Sequence, residues 1–387
     1  MTATTRPAAT GLQPALPKPM YVDEAHWERE RERVLFASWF CVGRLADLEL
    51  DLPERVSVVD VAGESVLLTT DRTGRLHAVY NVCRHRGSQL VPIPAGEPPP
   101  APCATRSLRC PYHSWTYDLS GRLLKAPHTE DVTDFDASAF SLAPVAVESW
   151  AGFCFVHLSP GEARPFAAEM AGFADRLQRY PLADLVGARR FVYDVSANYK
   201  VLAENYNECY HCGPVHPELS RLVPAFAGGG SDLDWEDGVP HREGAWTFTM
   251  SGTSSRQPFP DLNEFERVRH KGELIYPNLW LSCSADHVAA YTLWPLAVDR
   301  TRVVCDLLFA ADEVARSGFD PDDAGDLWDL VNRQDWAVCE SVQRGMSSRA
   351  YTQGWFAPME DLSADIRRWL LPLLDAPSAP TREPADG

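Results

Sequence analysis

Residues 81–90 read NVCRHRGSQL and residues 109–123 read RCPYHSWTYDLSGRL. The first stretch carries Cys83 and His85, the second Cys110 and His113, so each offers one thiolate and one imidazole. A [2Fe–2S] centre with two Cys on one iron and two His on the other needs that inventory. Cys83 and Cys110 would bind the inner iron, His85 and His113 the outer one. A tetrahedral Cys2His2 zinc site uses the same ligand types, but the flanks weigh against it. His85 runs into Arg86-Gly87-Ser88, a tight-turn signal. Cys110 runs into Pro111 and then Ser114-Trp115, ahead of a turn over Asp118–Gly121. Cys103 is a rival for the second cysteine, but position 106 is Arg rather than His, so Cys110 is kept.

Around these loops the sequence is β-type. Val56–Val61, Ser65–Thr70 and Leu76–Val82 are β-rich runs broken by turn signals at Ala62–Gly63 and Asp71–Gly74, and Trp150–Leu158 reads as a buried strand. An antiparallel β-domain is expected over 41–160. Ahead of it, Val22–Trp39 reads as a helix capped by Asp23, with Trp27, Val34, Leu35 and Trp39 at helical spacing. Beyond it the pattern becomes α+β. Phe166–Tyr180 predicts a helix, and Arg190–Asn198 a strand leading into a helix that carries Tyr199–Tyr210. Trp246–Ser251, Leu274–Ser282, Val288–Trp294 and Thr301–Phe309 predict strands, and Asp323–Arg344 a long helix. Residues 1–20 read as a disordered arm and 375–387 as a disordered tail. Val91–Pro102 reads as a Pro-rich surface excursion.

With 387 residues, 45% of them apolar, the chain can fill more than one core. Asp+Glu outnumber Lys+Arg by 54 to 36, which disfavours nucleic-acid binding through a basic face and suits solubility and, more weakly, cationic ligands or basic partners. No apolar run is long enough to span a membrane. The start lacks the apolar core of a secretory signal. A cytoplasmic location is therefore expected, and with it reduced cysteines, which at ten are too sparse for a disulfide scaffold. No Gly-x-Gly-x-x-Gly follows a strand, so nicotinamide and flavin chemistry must come from another protein.

A second constellation lies in residues 204–219, ENYNECYHCGPVHPEL. Glu208 and His211 are three apart, within one helical turn, and His216 follows after Gly213-Pro214 ends the helix. Two His and a distant carboxylate make the facial triad of a mononuclear Fe(II) site with open positions. Asp329, Asp335 and Glu340 on the long helix are all candidates for that carboxylate.

The two cysteine–histidine loops closely resemble the Rieske domain of Rieske non-haem iron oxygenases, with an insert at 91–102 that lengthens the usual interval. Ser88 and Tyr112 stand where the Rieske proteins of respiratory complexes carry extra Cys. The Glu208, His211, His216 order and spacing is similar to that family's catalytic domain. The resemblance implies an N-terminal antiparallel β Rieske [2Fe–2S] domain at 41–160. It implies a C-terminal α+β catalytic domain at 161–374, an antiparallel sheet surrounded by helices (helix-grip, START-like). Residues 21–40 become a helix packing on the catalytic domain. RQDWAVCESVQRG is similar to the family's iron-binding segment, which selects Asp335 as the third ligand. The family implies a homotrimer, with electrons passing from the Rieske centre of one subunit to the iron of the next. Glu208 would link the partner subunit's His113 to His211 of its own chain. A separate NAD(P)H-dependent flavin/iron–sulfur reductase would supply the electrons.

Within the family, YNECYHCGPVHPEL and IYPNLWLSCSADHVAAYTLWPLAVDRTRVVC look most like the monooxygenases of glycine betaine, choline and carnitine. Glu208, where ring-hydroxylating members mostly have Asp, agrees with them. This implies O2-dependent oxidative N-demethylation of a quaternary ammonium substrate, releasing formaldehyde. The alternatives are an aromatic ring-hydroxylating oxygenase alpha subunit and a non-catalytic electron carrier, against which Glu208, His211 and His216 argue. Aromatic faces would hold the ammonium group, with Trp235, Trp246, Phe248, Trp280, Tyr291 and Trp294 as candidates. His287 or Arg302 could meet a substrate carboxylate.

Overall fold

The computed structural model describes residues 11–94, 97–159, 161, 163–230 and 237–375. Within the expected disordered arm, Gln13–Pro17 instead form strand β1. Gln13 pairs with Phe356 and Pro17 with Gln353, burying Ala15 and Leu16. Composition suggested disorder because the partner strand lies at the other end of the sequence. Proline is tolerated in such a two-stranded edge ladder. Residues 1–10 and 376–387 lie outside the described residues, and the expected tail with them. Asp375 itself closes the helix Asp365–Asp375.

The helix expected over 22–39 is broken into helices Pro19–Val22 and Glu24–Glu30 and a π-helical turn Arg31–Leu35. Asp23 is extended and caps the second helix by accepting from the N–H groups of Ala25 and His26. Trp27, Val34 and Leu35 share a core with Trp336 and Leu370. Arg29 and Arg33 donate to the Leu374 carbonyl at 2.8 and 2.9 Å.

The first domain is antiparallel β. Its large sheet contains β2 (Phe40–Arg44), β3 (Arg55–Val61), β4 (Glu64–Thr70), β5 (Leu76–Tyr80), β6 (Cys103–Ala104), and, after the small strands, β10 (Pro144–Trp150) and β11 (Phe153–His157). Their order is β2-β11-β10-β5-β4-β3-β6. Val61 pairs with Glu64 across Ala62-Gly63, both at positive φ, as a two-residue hairpin requires. A small sheet of β7 (Leu108–Arg109), β8 (Thr116–Tyr117) and β9 (Leu123–Lys125) holds the second loop. The two sheets bury Leu67, Val79, Trp115, Tyr117 and Leu123 in one core.

The second domain is a six-stranded antiparallel sheet. It comprises β12 (Val186–Val195), β13 (Val239–Pro240), β14 (Arg269–Ile275), β15 (Leu279–Cys283), β16 (His287–Ala297) and β17 (Arg300–Phe309), in the order β12-β17-β16-β15-β14-β13. The helix Phe166–Leu177 precedes it. The long helix Asp322–Met346 buries Leu327, Trp328, Val331, Asn332, Trp336, Cys339 and Gln343 at helical spacing. Two expectations fail here. Trp246–Ser251 is not a strand: Trp246 N–H bonds back to Gly252 O at 2.8 Å, and Gly252 sits at positive φ, so the chain reverses. The run 274–282 is split at Tyr276–Asn278 into β14 and β15. Asn278 is consumed in joining the domains, exchanging bonds of 2.8 Å with the N–H and C=O of Cys41 on β2.

Candidate metal centres and substrate cavity

The two loops of the β-domain have the same backbone. Gly87 N–H bonds to Cys83 O at 3.0 Å and Ser114 N–H to Cys110 O at 3.1 Å, with Gly87 and Ser114 both at positive φ. Cys83 and Cys110 are buried, each 2% exposed. Burial raises the Cys83 thiol. Burial also raises the Cys110 thiol, but the N–H groups of Tyr112 and His113, with Cys83 and Ser88, together outweigh it and lower the thiol. The rings of His85 and His113 lie outside the cysteines with centroids 4.6 Å apart, and His85 stacks flat on Trp115 at 4.9 Å. Nδ1 of His113 is buried and has no hydrogen-bond partner. Two inner thiols, two outer imidazoles and an orphaned ring nitrogen fit a [2Fe–2S] cluster ligated by two Cys and two His.

The second site gathers at one end of the second domain. Asn198 caps the helix Tyr199–Tyr206 through the Lys200 N–H, and the helix ends at Asn207. Glu208 therefore lies beyond it, not on its face. It closes a turn instead: its carboxylate accepts from the backbone N–H groups of Tyr210 and His211 and stands 2.5 Å from His211 Nδ1. A short helix, Cys212–Val215, then delivers His216. His211 Nε2 is 3.2 Å from His216 Nε2, and Asp335 Oδ1 lies 3.2 and 2.9 Å from the two nitrogens. Donors sharing one ion through bonds of ~2.1 Å at right angles stand roughly 3 Å apart.

The outer nitrogens are held as metal-bound imidazoles require. His211 Nδ1 faces Glu208, and His216 Nδ1 faces Gln334 Oε1 at 2.8 Å. Burial pulls His211 down, but Asp335 and Glu208 outweigh it and raise its imidazole to about 10. Asp335 is itself held below the usual carboxylate range by the two His, against the effect of burial. The three groups fit a single cation with a two-His, one-carboxylate donor set.

The two rival candidates on the helix are engaged elsewhere. Asp329 accepts from Tyr193 and Arg333, and Glu340 from the Ser196 N–H. Against the expectation of reduced thiols, Cys209 and Cys212 form a disulfide bracketing His211, because the turn sets their Cα atoms 4.9 Å apart. The other eight cysteines are free.

Beside the three donors lies a cavity of about 120 Å³ walled by Phe226, Phe248, Tyr291, Trp328, Trp336 and His270. Among the described residues no Lys or Arg lines it. Of the six aromatic candidates, Phe248 and Tyr291 reach it. Trp280 is stacked behind Tyr206 at 4.7 Å, and Trp294 packs near Phe40. Trp246 is not in the lining, and Trp235 lies outside the described residues. His287 does not reach the cavity either: Trp328 Nε1 donates to its Nε2 at 2.9 Å, and Asp286 holds its Nδ1 at 2.7 Å. Arg302 is on β17, outside the lining. Trp328 was missed, although it precedes Asp335 by seven residues, two helical turns along the same face. Gln334 and His270 carry no signal in the sequence. A second hollow lies on the other side of Glu208 and His211, lined also by Ala15, Glu204, Tyr351 and Trp355.

Residues 38–136 match the Rieske [2Fe–2S] domain family and residues 182–376 the ring hydroxylating alpha subunit (catalytic domain) family. The chain belongs to the Rieske non-haem iron oxygenases, with a Rieske cluster domain and a mononuclear-iron catalytic domain. Within them it is of the quaternary ammonium monooxygenase type. It is 28% identical to the glycine betaine monooxygenase oxygenase subunit of Pseudomonas aeruginosa, over 88% of this chain and 84% of that one. It is 31% identical to the carnitine monooxygenase oxygenase subunit of Escherichia coli, over 87% and 85%. The solved structure of the quaternary ammonium Rieske monooxygenase CntA with L-carnitine superposes with a TM-score of 0.68 at 26% identity, covering 92% of this chain and 96% of that one.

Proposed function

We propose that this chain is the oxygenase component that oxidatively N-demethylates a quaternary ammonium compound such as glycine betaine. The observation that carries this reading is the aromatic cavity opening on His211, His216 and Asp335. A quaternary ammonium group donates no hydrogen bonds and is held by aromatic faces. Phe248, Trp328 and Tyr291 supply aromatic rings, and among the described residues no Lys or Arg lines the cavity.

In this reading Cys83, His85, Cys110 and His113 hold the Rieske cluster, and His211, His216 and Asp335 hold the iron. When bound, the iron activates O2 and the cluster supplies electrons singly. The chain's own residues do the rest. Glu208 and Gln334 fix the two imidazoles, and the aromatic wall presents an N-methyl group to the site. The hydroxylated methyl carbon then leaves as formaldehyde. Glu208 faces the outer hollow as well as His211, so it can link the partner subunit's His113 to this site within a homotrimer. A separate NAD(P)H-dependent flavin/iron–sulfur reductase reduces the cluster. No described helix is long and apolar enough to cross a membrane, and we place the enzyme in the cytoplasm.

The test is a single turnover of anaerobically reduced protein with O2 and glycine betaine, choline, carnitine or aromatic acids, assaying formaldehyde and hydroxylated products. Formaldehyde from a quaternary ammonium substrate is expected. A hydroxylated ring product without formaldehyde would overturn the substrate class.

A further inference from the structure

We infer that His270 is a substrate-positioning residue that binds the oxygen-bearing end of the substrate, hydroxyl or carboxylate, while the aromatic wall holds its ammonium end. The inference rests on the quaternary ammonium reading above and adds a residue and a contact to it.

His270 lies on β14 and is 8% exposed, yet its side chain lines the cavity. Its Nδ1 is buried with no hydrogen-bond partner. A buried polar atom left unpaired costs free energy, and a native structure tolerates few of them. Several other polar groups of the lining are engaged by protein partners. Tyr206 and Ser282 bond each other, and Asn332 accepts from Tyr291 at 2.9 Å and donates to Tyr193 at 3.3 Å. Among the described residues, the lining atoms buried without a partner are His270 Nδ1 and Trp336 Nε1, and of these two rings only the imidazole can accept as well as donate.

Its position also suits the role. The His270 ring stacks on Phe248 at 4.0 Å, and Phe248 stacks on Trp328 at 5.1 Å. Trp328 precedes Asp335 by seven residues, about 10 Å of helix rise. His270 and Trp328 are themselves 5.8 Å apart, so the three rings form one compact cluster on the cavity wall. An ammonium group held by this aromatic cluster would have its oxygen-bearing end within reach of His270, which belongs to the same cluster. Burial, with His241 and His287 nearby, holds the His270 imidazole well below its ordinary value. The neutral ring offers one donor and one acceptor, which suits either kind of oxygen.

The test is equilibrium binding of choline, glycine betaine and tetramethylammonium to the metal-loaded enzyme by calorimetry. Tetramethylammonium has the cation and no oxygen. His270→Phe keeps the stacked ring and removes the nitrogens. It should weaken the oxygen-bearing ligand about tenfold, one lost hydrogen bond, and leave tetramethylammonium within about twofold. His270→Gln, which restores a donor and an acceptor, should recover most of the affinity and serves if the Phe variant does not fold. Loss confined to choline assigns the hydroxyl, and loss confined to glycine betaine the carboxylate; either supports the inference. Equal loss for all three ligands, or no loss, overturns it. A wild-type enzyme that binds none of the three overturns the substrate class and this inference with it.

Discussion

Gln334 Oε1 stands 2.8 Å from Nδ1 of His216, on the side of the ring away from Asp335. An amide oxygen only accepts, so Nδ1 carries the hydrogen and Nε2 presents its lone pair to the donor cluster. Removing such a contact costs 10–100-fold in metal affinity in comparable sites. Gln334→Leu should therefore weaken mononuclear iron binding by about that factor, read by competition with a chelator. The visible spectrum of the Rieske centre should not change.

Asp335→Ala removes the one carboxylate that faces both imidazoles. The iron count should fall from about three to about two per chain with the Rieske spectrum intact. Asp329→Ala is the control. Its carboxylate is held by Tyr193 and Arg333, and all the iron should stay.

Glu208→Gln keeps a side chain of the same shape beside His211 but loses the charge. Both metals should remain, while turnover coupled to the reductase falls. Normal coupled turnover in this variant would rule out electron passage through Glu208.

Lys200 and Glu30 form an ion pair at 2.8 Å in which both side chains are 1% exposed. Burial alone lowers Lys200, and Glu30 opposes that. Glu30→Ala would strand the ammonium group, at a cost of about 3–5 kcal/mol. A clear drop in melting temperature should follow. The double change Glu30→Leu with Lys200→Met should recover most of it.

Glu204 accepts a hydrogen bond from Tyr21 at 2.5 Å. Burial pushes its carboxyl up to about 8, with Tyr21 and Lys200 pulling the other way. The folded chain thus holds this proton more tightly than the unfolded chain does. Its contribution to stability is fully present below about pH 4.3 and is lost as pH rises to about 8. Thermal unfolding across that window should show the decline, and Glu204→Gln should flatten it.

The candidate sites are legible where their donors sit close together in sequence. Cys-x-His and Cys-x2-His each fit one loop, and Glu208, His211 and His216 fit one turn and a short helix. Asp335 needed the likeness to a family, because Asp329 and Glu340 share its helix and differ only in what they meet in space. The cavity was the least legible part. Of six aromatic candidates two reached it, since β-strand aromatics face a core far more often than a ligand. Trp246–Ser251 was read as a strand from its β-formers, but Gly252 lets it fold back and places Phe248 in the cavity wall. β1 was hidden by its Ala- and Pro-rich setting.

That first strand has a consequence for anyone shortening the gene. Ala15 shares the outer hollow with Glu208 and His211, and β1 is the only described strand paired with Gln353–Phe356. Trimming the first twenty residues as dispensable would strip one wall of that hollow and leave Trp355 and Phe356 without their neighbour. On the proposed role of Glu208, such a truncation should lower turnover coupled to the reductase more than it lowers iron content, read by comparing the two in the shortened and full chains.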